Sequence, residues 1–229
     1  MARRKREWFP GAMYHIMHRG VRRKDLFEEE MDYQVFLEIL KSGLKKYECI
    51  LHAYCLMTNH IHLLLETTDI EIGKFMKFLS ERYAMYMNHK YLYRGHVFES
   101  RYKSCLVTKD DYFLQTSRYI HLNPVKAKMA VHPEEYRWSS YKTIIGMQDD
   151  QITSSYRTLA YFQNHNVTRY KEFVEDVGIS IWFTNRKSEK RWEKMKYGYR
   201  GKEFCNTRNP QIEFSQLLMR VDMYFPKNG

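Results

Sequence analysis

Apolar residues recur along this chain with two different periods, and the places where the period changes outline its elements. The stretch AMYHIMHRG (12–20) reads as a first strand, followed by a charged loop, VRRKDLF. From Met31 to Tyr47 the spacing becomes helical, with Tyr33, Phe36, Leu37, Leu40 and Leu44 on one stripe. Two strand-like runs follow, CILHAYCLM (49–57) and HIHLLLE (60–66), and the pair Thr58–Asn59 between them suits a hairpin. A second helical stripe spans Ile70 to His89 through Ile72, Phe75, Met76, Leu79, Tyr83 and Tyr86. Residues 94–108, RGHVFESRYKSCLVT, read as strand material with a turn near Glu99 to Arg101. A third helix is expected from about Asp110, and the Asn123–Pro124 pair should end it, since a residue before proline is biased away from helical geometry. The stretch HPEEYRWSSYKTIIG (132–146) suggests one more short helical segment.

This order of strand, helix, two strands, helix, strand and helix predicts an α+β fold, an antiparallel sheet with helices packed on it. The character changes near residue 150. The division expected is residues 1–150 as one domain and 151–229 as a C-terminal extension, first helical and then basic. The length of 229 residues allows a full core plus such an appendage.

Charge sharpens the picture. The formal net charge is +11, concentrated in two places. Residues 1–24 carry eight Lys or Arg against Glu7, and residues 186–202 carry eight against Glu189 and Glu193. Charge gathered in this way points to a polyanion-binding surface, with nucleic acid the commonest partner. No apolar run is long enough to span a membrane, and the basic start MARRKREWFPG lacks the apolar stretch of a signal peptide, so a cytoplasmic protein is expected. The four cysteines, Cys49, Cys55, Cys105 and Cys205, form no CxxC pair and no zinc-ligand spacing, which suits reduced thiols.

Two motifs bear on chemistry. On a strand, His60 and His62 share one face and Ile61 takes the other, so two imidazoles can converge on one ion. On the third helix Tyr112, Thr116, Tyr119 and Asn123 recur at helical spacing, which places Tyr119 and Asn123 one turn apart on one face. A deprotonated tyrosine oxygen can attack phosphorus, and a carboxamide oxygen can complete a metal site begun by two histidines. The alternative readings are structural: a satisfied histidine pair, an amphipathic-helix tyrosine and an Asn–Pro helix stop. His121 falls about 100° off the Tyr119–Asn123 face by helical geometry and reads as structural or DNA-facing.

Five ordered stretches, YHIMHRGVRRKDLF, HAYCLMTNHIHLLLE, RGHVFESRYKS, RYIHLNPVKA and WSSY, lie between residues 14 and 141. Together they resemble the REP-associated tyrosine transposases, single-tyrosine members of the HUH endonuclease superfamily. The resemblance implies a ferredoxin-like antiparallel sheet carrying the histidine pair, with the tyrosine helix beside it. It implies His60 and His62 as metal ligands, Asn123 as the third ligand, Tyr119 as the nucleophile, and Mg2+ or Mn2+ as the ion. The implied reaction is transesterification of single-stranded or hairpin DNA through a 5′-phosphotyrosine link.

The basic residues Arg3, Arg4, Arg6, Arg19, Arg22, Arg23 and Lys24 could grip a hairpin stem, and Arg101 and Lys103 could hold backbone phosphates. Some of the surplus aromatics could stack on unpaired bases, although Trp138, Tyr141 and most others are expected to pack. A domesticated protein that binds hairpins without cutting is the competing expectation. A nucleotide hydrolase is disfavoured by Leu64, where a third histidine would be wanted, and a zinc module by the unpaired cysteines. Composition does not decide between monomer and homodimer, although the resemblance to REP-associated members leans toward a monomer.

Overall fold

The computed structural model describes residues 7–108 and 110–176. Its elements run β1 (Met13–Arg19), α1 (Glu30–Tyr47), β2 (Ile50–Met57), β3 (His60–Glu66), α2 (Ile72–Lys90), β4 (Lys103–Val107) and α3 (Asp110–Lys126), followed by three shorter helices, α4 (Tyr141–Ile144), α5 (Tyr156–Ala160) and α6 (Val167–Glu175). The strands form one antiparallel sheet in the order β2-β3-β1-β4. With the β-α-β-β-α-β order of the first six elements, this is the ferredoxin-like arrangement.

Strand alternation divides the apolar side chains between two layers. Tyr14, Ile16, Leu56, Ile61, Leu63 and Leu65 join the buried stripes of α1 (Tyr33, Phe36, Leu40, Leu44) and α2 (Ile72, Phe75, Met76, Leu79, Tyr83). Met13, Ala53, Cys55, Met57, Leu64 and Val107 face the other way and meet Phe113, Leu114 and Ile120 of α3. The long helices thus cover one face of the sheet and α3 covers the opposite one. Among the described residues no helix is long and apolar enough to cross a membrane.

The N-terminus of α1 is tied to the C-terminal end of α2 through one carboxylate. Asp32, fully buried, closes a capping box with Glu29 and accepts hydrogen bonds from the Glu28 and Glu29 N–H groups, the Tyr86 and Tyr91 hydroxyls and the Lys90 ammonium.

Three elements differ from the periodicity. α3 runs through Pro124 to Lys126 instead of stopping before it. The proline ring costs one backbone bond, but helical bonding resumes past it, since Ala127 N–H donates to Asn123 O, and α3 is held on the sheet through Phe113, Leu114 and Ile120 before it. Residues 94–102 contribute only an isolated bridge, Phe98 to Gly20, and the regular strand begins at Lys103. The stretch 132–146 is not one helix: a 3-10 turn at Pro133–Glu135 and α4 flank a turn with one bridge residue, Ser139, paired with Cys55. That piece serves β2 as an edge partner. Leu56 N–H donates to Trp138 O, Ser140 N–H donates to Tyr54 O, and the Tyr136 hydroxyl donates to Leu56 O. Trp138, stacked on Tyr33 at 4.4 Å, and Tyr141, fully buried, pack as expected.

The loop after β1 is clamped by backbone bonds from Gly20 N to Asn59 O and from Leu26 N to Thr58 O, so it lies against the β2–β3 turn. A Cβ at Gly20 would sit 2.2 Å from the Lys24 carbonyl oxygen. Gly20→Ala is therefore expected to lower stability by about 2 kcal/mol, since backbone must move to admit the methyl group. Urea unfolding measures it, and an unmoved midpoint would show that the loop yields freely.

Candidate active site

Cross-strand neighbours on a sheet share a face, and register decides which chemistry meets. On the face covered by α3, β1 to β4 place Lys103, Met17, His62 and Cys55 in one row. The next row toward the sheet end holds Arg19, His60 and Met57. The two histidine rings lie 5.0 Å apart between centroids and are nearly perpendicular at 80°, with His62 buried and His60 half-buried. His60 Nδ1 lies 2.7 Å from the Asn59 side-chain oxygen, so that nitrogen carries the proton.

α3 brings Tyr119 onto this pair. Its half-buried ring meets His62 edge-on, with centroids 5.6 Å apart at 84°. One turn later Asn123 Nδ2 donates to the Tyr119 carbonyl at 2.7 Å. Because the acceptor is a carbonyl, the amide nitrogen must be the donor, and the amide oxygen is turned away from that bond. The Lys126 ammonium sits 4.9 Å from the Tyr119 ring centroid, a cation–π contact at the end of the same helix face.

A third histidine enters from β1. His15, 1 % exposed, places Nε2 3.1 Å from His62 Nδ1 and meets the Tyr119 ring edge-on at 5.7 Å. The residue reading passed over His15. Its alternation with Met13 and Met17 places it on the correct face, but its contact with His62 depends on the pairing of β1 with β3. His121 is not on this face. It is fully buried on another face of α3, and burial pushes its pKa down to about 3, so it is a neutral structural group.

The basic residues sort by position. Arg19 lies directly across from His60, and Lys103 shares a row with His62. Arg22, Arg23 and Lys24 are exposed on the loop clamped to the β2–β3 turn. Backbone bonds from Val21 N to Val97 O and from Glu99 N to Arg19 O bring the 94–101 stretch, with exposed Arg101, alongside that loop. Two basic segments far apart in sequence therefore adjoin at the histidine end of the sheet. Arg3, Arg4 and Arg6, and the basic stretch 186–202, lie outside the described residues.

Among the described residues no three His, Cys, Asp or Glu side chains are grouped as a metal site. A divalent ion at this place would depend on two imidazoles and one amide oxygen, the remaining positions falling to water and a DNA phosphate. That donor set is chemically reasonable, and its nitrogen content suits Mn2+ better than Mg2+.

A family model described as "Transposase IS200 like" matches residues 9–123, which include every side chain in this cluster except Lys126. Among solved structures, a REP-associated tyrosine transposase bound to a REP hairpin is 14% identical with a TM-score of 0.55, over 67% of this chain and 92% of that one. At that identity the likeness establishes a shared fold. A transposase structure from Deinococcus radiodurans R1 is 21% identical over 52% of this chain and 95% of that one, with a TM-score of 0.38, too low to bear on the argument. No curated protein matches the chain.

Proposed function

Because the chain belongs to the IS200-like transposase family, we propose that it is a metal-dependent single-stranded DNA endonuclease and transposase that cleaves and rejoins DNA near hairpin elements. The observation that carries this reading is the placement of the Tyr119 ring edge-on against His62, beside His60, within one chain.

In the proposed reaction the Tyr119 oxygen attacks the scissile phosphorus, its P–O bond forms, and the bond to the 3′ oxygen breaks. The 3′ end leaves as a hydroxyl and the 5′ phosphate stays on Tyr119. The bond energy is kept, so a 3′-hydroxyl from another strand can reverse the step and join ends. His60 and His62, with Asn123 Oδ1, would hold an Mn2+ or Mg2+ ion. When bound, that ion polarises the phosphate and offsets the charge that builds up on it. With Nδ1 of each histidine engaged by a neighbour, Nε2 would be the ligand atom of each. Arg19 and Lys103 would hold flanking phosphates, and Arg22, Arg23, Lys24 and Arg101 the stem, with Arg3, Arg4 and Arg6 adding charge from the N-terminus. The hairpin as substrate is drawn from the structural relative.

We assign this chemistry to residues 1–150 and treat 151–229 as a helical and basic extension, although α5 and α6 of that extension pack within one compact unit that ends at Glu175. The test is covalent capture of labelled single-stranded hairpin DNA with Mn2+, Mg2+ or chelator on a denaturing gel. A metal-dependent adduct supports the reading. Tight hairpin binding without any adduct would favour the domesticated, non-cleaving protein.

In this reading His62 Nδ1–H donates to His15 Nε2, 3.1 Å away, and His15 would fix the tautomer of His62. His15→Phe is expected to raise the Mn2+ concentration for half-maximal capture about 10- to 100-fold, the usual cost of losing an outer partner of a metal-binding histidine. An unchanged metal titration would remove His15 from the site.

A further inference from the structure

The family match stops at Asn123, yet α3 is held on a second side by residues well beyond it. One face of α3 is apolar and rests on the sheet through Phe113 and Ile120. Another carries Ser117, Arg118 and His121, each no more than 1 % exposed, and this face meets α6. The buried Tyr170 hydroxyl lies 2.8 Å from Ser117 Oγ and 2.8 Å from His121 Nδ1. His121 Nε2 continues the chain to Ser140 Oγ at 3.0 Å. Arg118 Nε donates to the Val174 carbonyl at 3.1 Å, and its guanidinium lies over the Phe173 ring at 5.8 Å. α6 is anchored in turn, since the Tyr141 hydroxyl donates to Glu175 at 2.6 Å and Lys171 pairs with Glu134 at 3.2 Å.

Apolar contacts are non-directional and would let α3 rotate or slide on the sheet. Buried hydrogen bonds are directional, and breaking one strands polar groups away from water. Ser117, Arg118 and His121 bracket Tyr119 on the helix, so bonds that fix them fix the direction of the phenol. That direction matters, because a displacement of about 1 Å in a reacting group costs on the order of 10²-fold in rate.

We propose that α6 is a strut that positions the Tyr119 helix over the His60–His62 pair of its own chain, with Tyr170, His121 and Arg118 as positioning residues. The extension is then part of the mounting of the nucleophile. The proposal rests on the reading of Tyr119 as that nucleophile, so its test needs one readout that does not.

The probe is Tyr170→Phe in the full chain, which removes the hydroxyl shared by Ser117 and His121 and keeps the ring. Three quantities are measured: single-turnover capture of labelled hairpin DNA at saturating DNA, hairpin affinity by anisotropy in chelator, and hydrogen exchange of the α3 amides. Capture is expected to slow about 10- to 100-fold, with affinity within about twofold and with faster exchange in residues 117–126 than in the sheet. An unchanged capture rate would overturn the strut. If wild type forms no adduct, the reading of Tyr119 fails by itself, and exchange decides the strut: unchanged α3 protection overturns it. Should Tyr170→Phe not fold, Glu175→Ala, which releases only the far end of α6, is expected to slow capture about threefold in the same direction, and no slowing counts against the proposal.

Discussion

Tyr119→Phe is expected to reduce covalent capture of single-stranded DNA by at least about 10³-fold, the scale on which removal of a nucleophile acts. Hairpin affinity should stay within about twofold. The substitution removes one oxygen and leaves the ring, so the edge contacts with His62 at 5.6 Å and His15 at 5.7 Å persist. The apolar packing of α3 on the sheet through Phe113, Leu114 and Ile120 is untouched. A loss of capture therefore reports chemistry and not a displaced helix. Thermal unfolding of the variant within about one degree of wild type completes the control, since a change at a half-buried ring edge is worth only a few tenths of a kcal/mol. Capture that survives would make another group the nucleophile and end the transesterification reading in its present form.

Asp32→Ala is expected to destabilise the protein by about 3 kcal/mol, which at this size is a fall in Tm of roughly 6–12 °C. The carboxylate is inaccessible to solvent and takes 2.8 and 3.0 Å bonds from two backbone N–H groups, 2.8 and 2.7 Å bonds from Tyr86 and Tyr91, and a 2.5 Å ion pair with Lys90. Removing it leaves the Lys90 charge and several donors without their shared acceptor.

The same group sets an acid dependence. Burial alone would raise its pKa, but the bonds from Lys90, Tyr91, Tyr86 and the Glu29 N–H outweigh it and bring the carboxyl from 3.8 down to about 2. A depressed folded-state pKa means that the unfolded chain binds the proton first. The stabilisation is thus fully present above about pH 4 and is lost as pH falls toward 2, a span worth about 2 kcal/mol. Wild type should lose Tm across that window more steeply than Asp32→Ala. Parallel curves would assign the acid sensitivity to other carboxylates.

How much of this was legible before folding depends on the distance over which each signal acts. The helical stripes of α1 and α2 are local patterns, and nearly every residue on them is buried against the sheet as the spacing implies. His60 and His62 fall on one face because alternation is a property of any strand, and Tyr119 and Asn123 share a helix face for the same kind of reason. The proline at 124 misled because a local bias was outweighed by the packing of the preceding turns on the sheet, with the helical bonds resuming at Ala127. The 132–146 segment misled because Trp138 to Ser140 is recruited as an edge partner by β2, a demand from a strand some 85 residues earlier in the chain, as in the bond from Ser140 to Tyr54.

The amino-acid sequence by itself determined the order of elements, the two histidines on one strand face, the tyrosine and asparagine on one helix face, and the concentration of positive charge. These follow from periodicities of 2.0 and 3.6 residues and from counting charges. The tertiary structure decided what those faces meet. The register of β1 against β3 set His15 against His62, across 47 positions of chain. The backbone pairing of residues 19–21 with 97–99 joined two basic segments into one rim. The burial of Arg118 and His121 on the face of α3 away from the histidine pair required α6, whose Tyr170 lies 49 positions beyond His121. Contacts of that span are fixed by chain topology and the closing of a common core, and no local pattern encodes them.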